Sequence, residues 1–322
     1  MPKNDSGFKL PKKDLNKLYT ALEKFGEVIA PVNDSKRVRM QPVENLGNVS
    51  FTGVSWFTSK KYVFPPKQTL VKFNGEKVRK SSPEITKRVL FGLRMCDLNA
   101  FAVNDKLFLE QEPKMDFYKK FRESLLLVGL WCDKPVDAFC FCSSMNLQHE
   151  YDLCLFDRGD FFHIKVGSEK GEEILKKLKL ESDELIPEKP KCKTELKTTD
   201  IKDLFEKNEI WKKGEENCLF CGDCTSLCPT CLCFDIEDNC DLSGKCGERC
   251  ASWDSCMYKD FTKVAGGHHF RGKKIDRFKH RIFHKLQYFD EKFGRSMCTG
   301  CGRCIRGCPM KIYWPKIIND EK

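Results

Sequence analysis

The sequence offers no phosphate cradle. No G-x-G-x-x-G follows a strand-like run and no G-x-x-x-x-G-K-[ST] occurs, so the backbone amides that hold nicotinamide, flavin or ATP phosphates are missing. An H-E-x-x-H zinc-protease helix and a G-x-S-x-G nucleophile elbow are absent too. Histidines number only six, chiefly His268, His269, His280 and His284 in a basic stretch where surface or interface roles are expected, so no general acid/base constellation is visible. Long apolar runs are lacking: Leu125 to Cys132 is the longest and is far too short to cross a bilayer. Met1 to Lys13 is polar and basic without the apolar core of a signal peptide, which points to a cytoplasmic, reducing compartment. A chain so equipped is expected to bind no nucleotide alone and to carry no catalytic residue of its own.

What the sequence has is cysteine, 20 of them in 322 residues. The spacing C-x2-C-x2-C-x3-C-P occurs twice, at Cys218, Cys221, Cys224, Cys228, Pro229 and at Cys298, Cys301, Cys304, Cys308, Pro309. Three cysteines two residues apart can wrap three iron corners of a [4Fe-4S] cube in one loop, and in two-cluster ferredoxins the fourth ligates the other cube. The spacing therefore assigns Cys218, Cys221, Cys224 and Cys308 to one cube and Cys298, Cys301, Cys304 and Cys228 to the other. Structural zinc favours two C-x-x-C pairs parted by a longer loop, and a disulfide scaffold needs a higher cysteine density than about 6%.

The length suits about two domains, and 25 phenylalanines supply a core. The formal charge of +10 overstates basicity, since a 2+ cube held by four thiolates carries roughly −2 and three such sites remove about six units. Leu15, Leu18, Tyr19, Leu22 and Phe25 follow helical spacing within Lys12 to Phe25, ahead of Gly26. Val89 to Leu93, Leu125 to Leu130, Asp152 to Phe156 and Phe161 to Val166 read as strands, the last two as a hairpin through Asp157 to Asp160. Lys170 to Leu180 reads as helix, and Pro187 to Asp200, rich in lysine, as a solvated linker that sets a boundary near residue 200. Beyond it, 69 residues separate Cys228 from Cys298, and Ser255 to Lys292 has mainly helical composition. The fold class is thus α+β: a mixed α/β domain over 1–200, then an α-helical two-cluster ferredoxin domain over 201–322, similar to the helical ferredoxins of respiratory iron-sulfur subunits.

Cys96, Cys132, Cys140 and Cys142 follow strand ends or turns in the first domain. Spacing leaves two readings open, small buried hydrophobes or four ligands that parallel strands bring together. The segments Gly92 to Asp97, Cys140-Phe141-Cys142, Cys228 to Cys233, Trp253 to Cys256 and Val264 to Arg271 resemble the iron-sulfur beta subunit of cytoplasmic hydrogenase/sulfur reductases, and the related iron-sulfur subunit of anaerobic sulfite reductases. The likeness runs from about Ala30 to the C-terminus in the same order. It implies a third [4Fe-4S] cluster at Cys96, Cys132, Cys140 and Cys142, positions that are cysteine in such subunits as well. It further implies an electron-transfer subunit placed between two partners, a reductase subunit that binds flavin and NAD(P), and a catalytic subunit, NiFe hydrogenase-like or sulfite reductase-like.

The chain departs from the family pattern at His269, where asparagine is common, and at Cys240, Cys246 and Cys250, which the pattern does not contain. With Cys256 these three form a run matching no known motif, and variable-loop thiols are the better reading. Cys231, Cys233 and Cys256 fit the pattern without an assigned role, and Cys154 and Cys192 read as ordinary thiols.

Each cube passes one electron at a time, whereas hydrogen, hydride and sulfite chemistry moves pairs, so the pair chemistry is expected in partner chains. Other readings of the same wire are a component of anaerobic sulfite reductase, a heterodisulfide reductase-like or formate-linked assembly, and a standalone ferredoxin-like carrier. The first domain favours docking to fixed partners over the carrier. The basic stripe Arg271, Lys273, Lys274, Arg277, Lys279, Arg281 and Lys285 could suggest nucleic acid, but Phe270, Ile275, Phe278, Ile282, Phe283 and Leu286 interleave as an apolar packing face. The basic residues are then expected in solvent or facing a partner, with no nucleic acid.

Overall fold

A computed structural model of the chain describes residues 6–184 and 190–321. Strands β1 (Ser6–Pro11), β2 (Glu27–Asp34) and β3 (Arg37–Pro42) open the chain, and β4 (Lys67–Asn74) and β5 (Lys77–Lys80) form a hairpin. They are followed by β6 (Arg88–Leu93), β7 (Leu125–Leu130), β8 (Leu153–Asp157), β9 (Phe161–Val166) and β10 (Glu181–Glu184). All but β4 and β5 join one eight-stranded sheet in the order β10-β1-β9-β8-β7-β6-β2-β3. Its centre is parallel, from β2 through β6 and β7 to β8, and the flanking pairs are antiparallel.

A central parallel strand is covered on both faces and so reads apolar at every position. In β7, Leu-Leu-Leu-Val-Gly-Leu, every residue is buried. Alternate side chains part to opposite faces. Leu126, Val128 and Leu130 meet Leu18 and Leu22 of α1 (Leu15–Glu23) in one core, and Leu125 and Leu127 meet Leu98, Phe101 and Phe108 of α2 (Met95–Leu109) in the other. Tyr118 and Phe121 of α3 (Asp116–Glu123) complete the second layer, and Ile174 and Leu175 of α4 (Glu169–Lys176) the first. The result is helix, sheet, helix.

After residue 200 come α5 (Asn208–Glu215) and α6 (Asp223–Ser226), then β11 (Phe234–Cys240) and β12 (Cys246–Trp253). The remaining helices are α7 (Lys274–Phe283), α8 (Phe289–Phe293), α9 (Arg303–Arg306) and α10 (Trp314–Asn319), with a π-helical turn over His284–Tyr288 between α7 and α8. Residues 255–273, expected to be helical, are instead turns with short 3-10 segments; regular helix begins at Lys274. The hairpin of β11 and β12 lies outside the strands that the sequence predicts. It joins β4 and β5 in a second sheet, ordered β11-β12-β4-β5, so the two parts of the chain share a sheet.

They share a core as well. Trp211, Phe278, Ile282, Phe283, Ile305, Trp314 and Ile318 pack with Phe141, Met145 and Leu196. The lysine-rich linker, of which 187–189 lie outside the described residues, is not simply solvated. Pro190, Cys192 and Leu196 are buried between exposed lysines, and Leu196 joins this core while the lysine side chains stay in water.

Candidate metal centres

The two C-x2-C-x2-C-x3-C-P copies have matching backbones. Gly222 and Gly302 sit at φ 80° and 71°, the left-handed region that suits glycine, and each starts a one-turn helix, α6 and α9. The Phe220 and Gly300 amides each donate to the thiol two residues back, Cys218 and Cys298, at 3.4 Å.

Cys218, Cys221 and Cys224 line one cavity together with Cys308. Cys298, Cys301 and Cys304 line a second together with Cys228. The last cysteine of each run therefore stands in the other run's cavity. Arg281, Cys304 and Trp314 border both, and the Trp314 indole N–H donates to Cys304 Sγ at 3.4 Å. Among the described residues, no three His, Cys, Asp or Glu side chains converge as a single ion requires. One thiol per iron corner, amides aimed at sulfur and a lining that includes Met257, Phe278, Ile282 and Ile312 suit a polynuclear sulfur centre.

Cations stand in the cavity walls, Arg281 in both and Lys285 in the second. Burial pushes the Cys224 thiol up to about 12, with Arg281 pulling the other way. Burial also works against the charge of Arg281, but the sulfurs of Cys224, Cys304, Cys231 and Cys228 outweigh it and hold its pKa well above normal. The Lys285 pKa is likewise raised, by Cys228 and Cys231, against the effect of burial. Four members of the basic stripe thus point inward, contrary to expectation. Arg277 Nε donates to Met257 O at 3.0 Å, Lys279 Nζ to Phe205 O at 3.1 Å, Arg281 Nη2 to Cys224 O at 3.1 Å and Lys285 Nζ to the Thr230 hydroxyl at 3.0 Å. Irregular cysteine segments leave carbonyls that a helical or sheet ladder would have paired, and Arg277 and Arg281 supply donors to two of them, at Met257 and Cys224. Phe270, assigned to the packing face, is 69% exposed.

Three further side chains tie the parts of the chain together, and nothing in the motif spacing marks them. Arg303, fully buried, pairs with Asp97 at 2.8 Å and donates to the Ser55 carbonyl at 2.9 Å. Arg306 pairs with Asp137 at 2.7 Å. Lys60 Nζ donates to the carbonyls of Cys231, at 2.7 Å, and Thr225, at 3.0 Å.

Of the first-domain cysteines, Cys96 lies in the first turn of α2, beyond the carboxyl end of β6, and Cys132 lies beyond that of neighbouring β7. Open α/β sheets hold ligands at such ends. Cys96 packs with Val54 and Cys301, and Arg303 Nη1 lies 3.8 Å from its sulfur. The loop with Cys140 and Cys142 rests on the second motif. The Phe141 amide donates to Gly300 O at 2.9 Å, and a Cβ on Gly300 would fall 2.5 Å from Cys142 Cα.

Cys132 stands apart from this group. Trp131 stays hydrogen-bonded to Leu155 past the end of β7, and Cys132 is held in the core with Met95, Cys154 and Phe156. The thiol beside Cys142 is instead Cys192, at 3.7 Å between sulfurs, a residue read from sequence as ordinary. Cys231, Cys233 and Cys256 line another cavity with His280, His284 and Lys285. The run Cys240, Cys246, Cys250 is strung along β11 and β12 rather than in a loop, with Cys246 bonded to Asn74 and Cys250 beside Thr69.

Comparison with known proteins supplies the context. Residues 217–312 match the model of a 4Fe-4S dicluster domain. Polyferredoxin protein MvhB of Methanothermus fervidus is 33% identical over 115 residues, 34% of this chain and 23% of that protein. No solved structure matches the chain. Sulfhydrogenase 2 subunit beta of Pyrococcus furiosus is 31% identical over 325 aligned positions, covering 94% of this chain and 95% of the relative. With likeness along nearly the whole of both chains, and with the dicluster domain where the paired cysteine runs lie, this protein belongs to the family of sulfhydrogenase beta subunits.

Proposed function

We propose that the chain relays electrons within a sulfhydrogenase-like assembly, from or to a reductase subunit that binds flavin and NAD(P)H on one side and a catalytic subunit of the NiFe hydrogenase kind on the other. Cys218, Cys221, Cys224 and Cys308 hold one [4Fe-4S] cluster, Cys298, Cys301, Cys304 and Cys228 the second, and the cysteine group around Cys96, Cys140 and Cys142 a third. A cube bound at such thiolates takes up and gives back one electron at a time.

The observation that carries this reading is the exchange of fourth cysteines between the two cavities. The residues around them favour the added negative charge of a reduced centre. Trp314 and the Phe220 and Gly300 amides donate to sulfur, and Arg281 and Lys285 bring positive charge to the cavity walls. The third group lies against the second cavity, since Cys96 and Cys301 pack together.

Iron and acid-labile sulfide per chain, measured on anaerobically purified protein with reduced-state EPR, test the assignment. About twelve of each is expected; zinc without brown absorbance would overturn it. Native co-purification tests the partners, with a flavoprotein and nickel expected, and sirohaem would move the chain to a sulfite-reducing assembly.

A further inference from the structure

We propose that Cys192 is the fourth thiolate of the first-domain centre, completing a [4Fe-4S] site with Cys96, Cys140 and Cys142, and that Cys132 is not a ligand. The proposal rests on the three-centre reading above and goes beyond it by assigning a residue that lies 50 positions from Cys142 in the lysine-rich segment.

Cys192 is held in place rather than merely near. Its amide donates to the Ser143 hydroxyl at 3.2 Å, and the Leu196 amide donates to the Ser144 hydroxyl at 2.9 Å. These two bonds lay the segment along the short helix Cys142–Ser144. Between exposed Lys191 and Lys193 the Cys192 side chain is 7% exposed. A thiol turned inward from so polar a segment has a specific neighbour, and that neighbour is Cys142. At 3.7 Å the two sulfurs are not bonded, since a disulfide closes to about 2.05 Å.

The remaining members are on the same side. Cys142 lies within electrostatic reach of Cys96, Cys140 and Cys192 together, and Cys140 within reach of Cys192 and Cys301. Cys132 belongs to a different group of side chains, beside Cys154. Loading such a site removes four thiol protons and leaves a centre of roughly −2 charge. Arg303, whose Nη1 lies 3.8 Å from Cys96 Sγ, places a fixed cation beside it.

The test uses the full chain, reconstituted anaerobically with iron and sulfide, comparing wild type, Cys192→Ser and Cys132→Ser by metal analysis and EPR. The expected result is about twelve irons in wild type and in Cys132→Ser, and about eight in Cys192→Ser with the two ferredoxin-type signals intact. A three-iron signal in Cys192→Ser supports the proposal equally, because it reports a centre that has lost one ligand. Loss of four irons in Cys132→Ser with twelve retained in Cys192→Ser overturns it while leaving three centres standing. About eight irons in wild type overturns the three-centre reading itself. If Cys192→Ser loses every iron, Cys192→Asp decides: its carboxylate can coordinate iron, so recovery to about twelve upholds the ligand and failure to recover rejects it.

Discussion

Arg303 has no solvent exposure, and its guanidinium is divided among Asp97, Ser55 and Cys96. Replacing it by leucine leaves the Asp97 carboxylate buried without its cation, a change worth about 3–5 kcal/mol when one partner of a buried pair is removed. Arg303→Leu is expected to lower the urea midpoint of anaerobic unfolding by a corresponding amount, and the double variant with Asp97→Leu to recover a large part of it. A single variant as stable as wild type would contradict the pairing. Trp314 makes a different kind of contact. Its N–H to Cys304 Sγ favours the more negatively charged reduced state of whatever that sulfur binds. Trp314→Phe should lower the potential of that centre by tens of millivolts in an EPR-monitored redox titration, and an unchanged potential would deny the bond a tuning role. Neither contact was legible in the sequence. Arg303 fills one of the two positions that the cysteine spacing leaves unspecified between Cys301 and Cys304, and its partner is 206 positions away.

The long helix of the second part shows what periodicity does and does not reveal. The apolar face of α7 was legible, and Phe278, Ile282 and Phe283 are buried in the core it indicated. The inward turn of Arg277, Lys279, Arg281 and Lys285 was not, because pattern records hydrophobicity and is blind to unpaired carbonyls on another element. The hairpin of β11 and β12 escaped for the opposite reason. β11 alternates only over Phe234 to Glu237 before an acidic and polar run, and it is exposed at every position, so its pattern is too short to mark a strand. Between β4 and β5 the two-residue loop is Gly75-Glu76, closed by the pair Asn74 and Lys77, and glycine at the first loop position, here at φ 59°, is a local hairpin cue. On α7, burial, with Arg271 adding to it, depresses the His280 pKa to about 4, below the ordinary value of about 6.5. The unfolded chain then binds the extra proton between those values, so this contribution to stability is fully present above about 6.5 and is lost as pH falls toward 4. Unfolding midpoints measured across that window should fall with acidification, and His280→Gln should flatten the slope. An unaltered slope would assign the acid sensitivity to other groups.

At the scale of the whole molecule the α+β order of the chain was legible, from the strand runs before residue 200 and the paired cysteine runs after it. The degree to which the parts interlock was not. The second sheet draws strands from both sides of residue 200, Lys60 reaches the Cys228 to Cys233 loop, and Cys192 reaches back to Cys142. Each of these is a pairing between distant segments, which local propensity cannot encode. Residues 1–200 and 201–322 produced as separate chains should each be recovered with fewer irons than their cysteines would hold in the intact protein. Full iron content in both, by metal analysis, would show that the halves fold independently. The exchange of Cys228 and Cys308 between the two cavities also sets an order of biogenesis. On the proposed assignment, a nascent chain that has emerged only through Cys304 offers three thiolates for the first cube and not the fourth, so that cube can close only once Cys308 has been made.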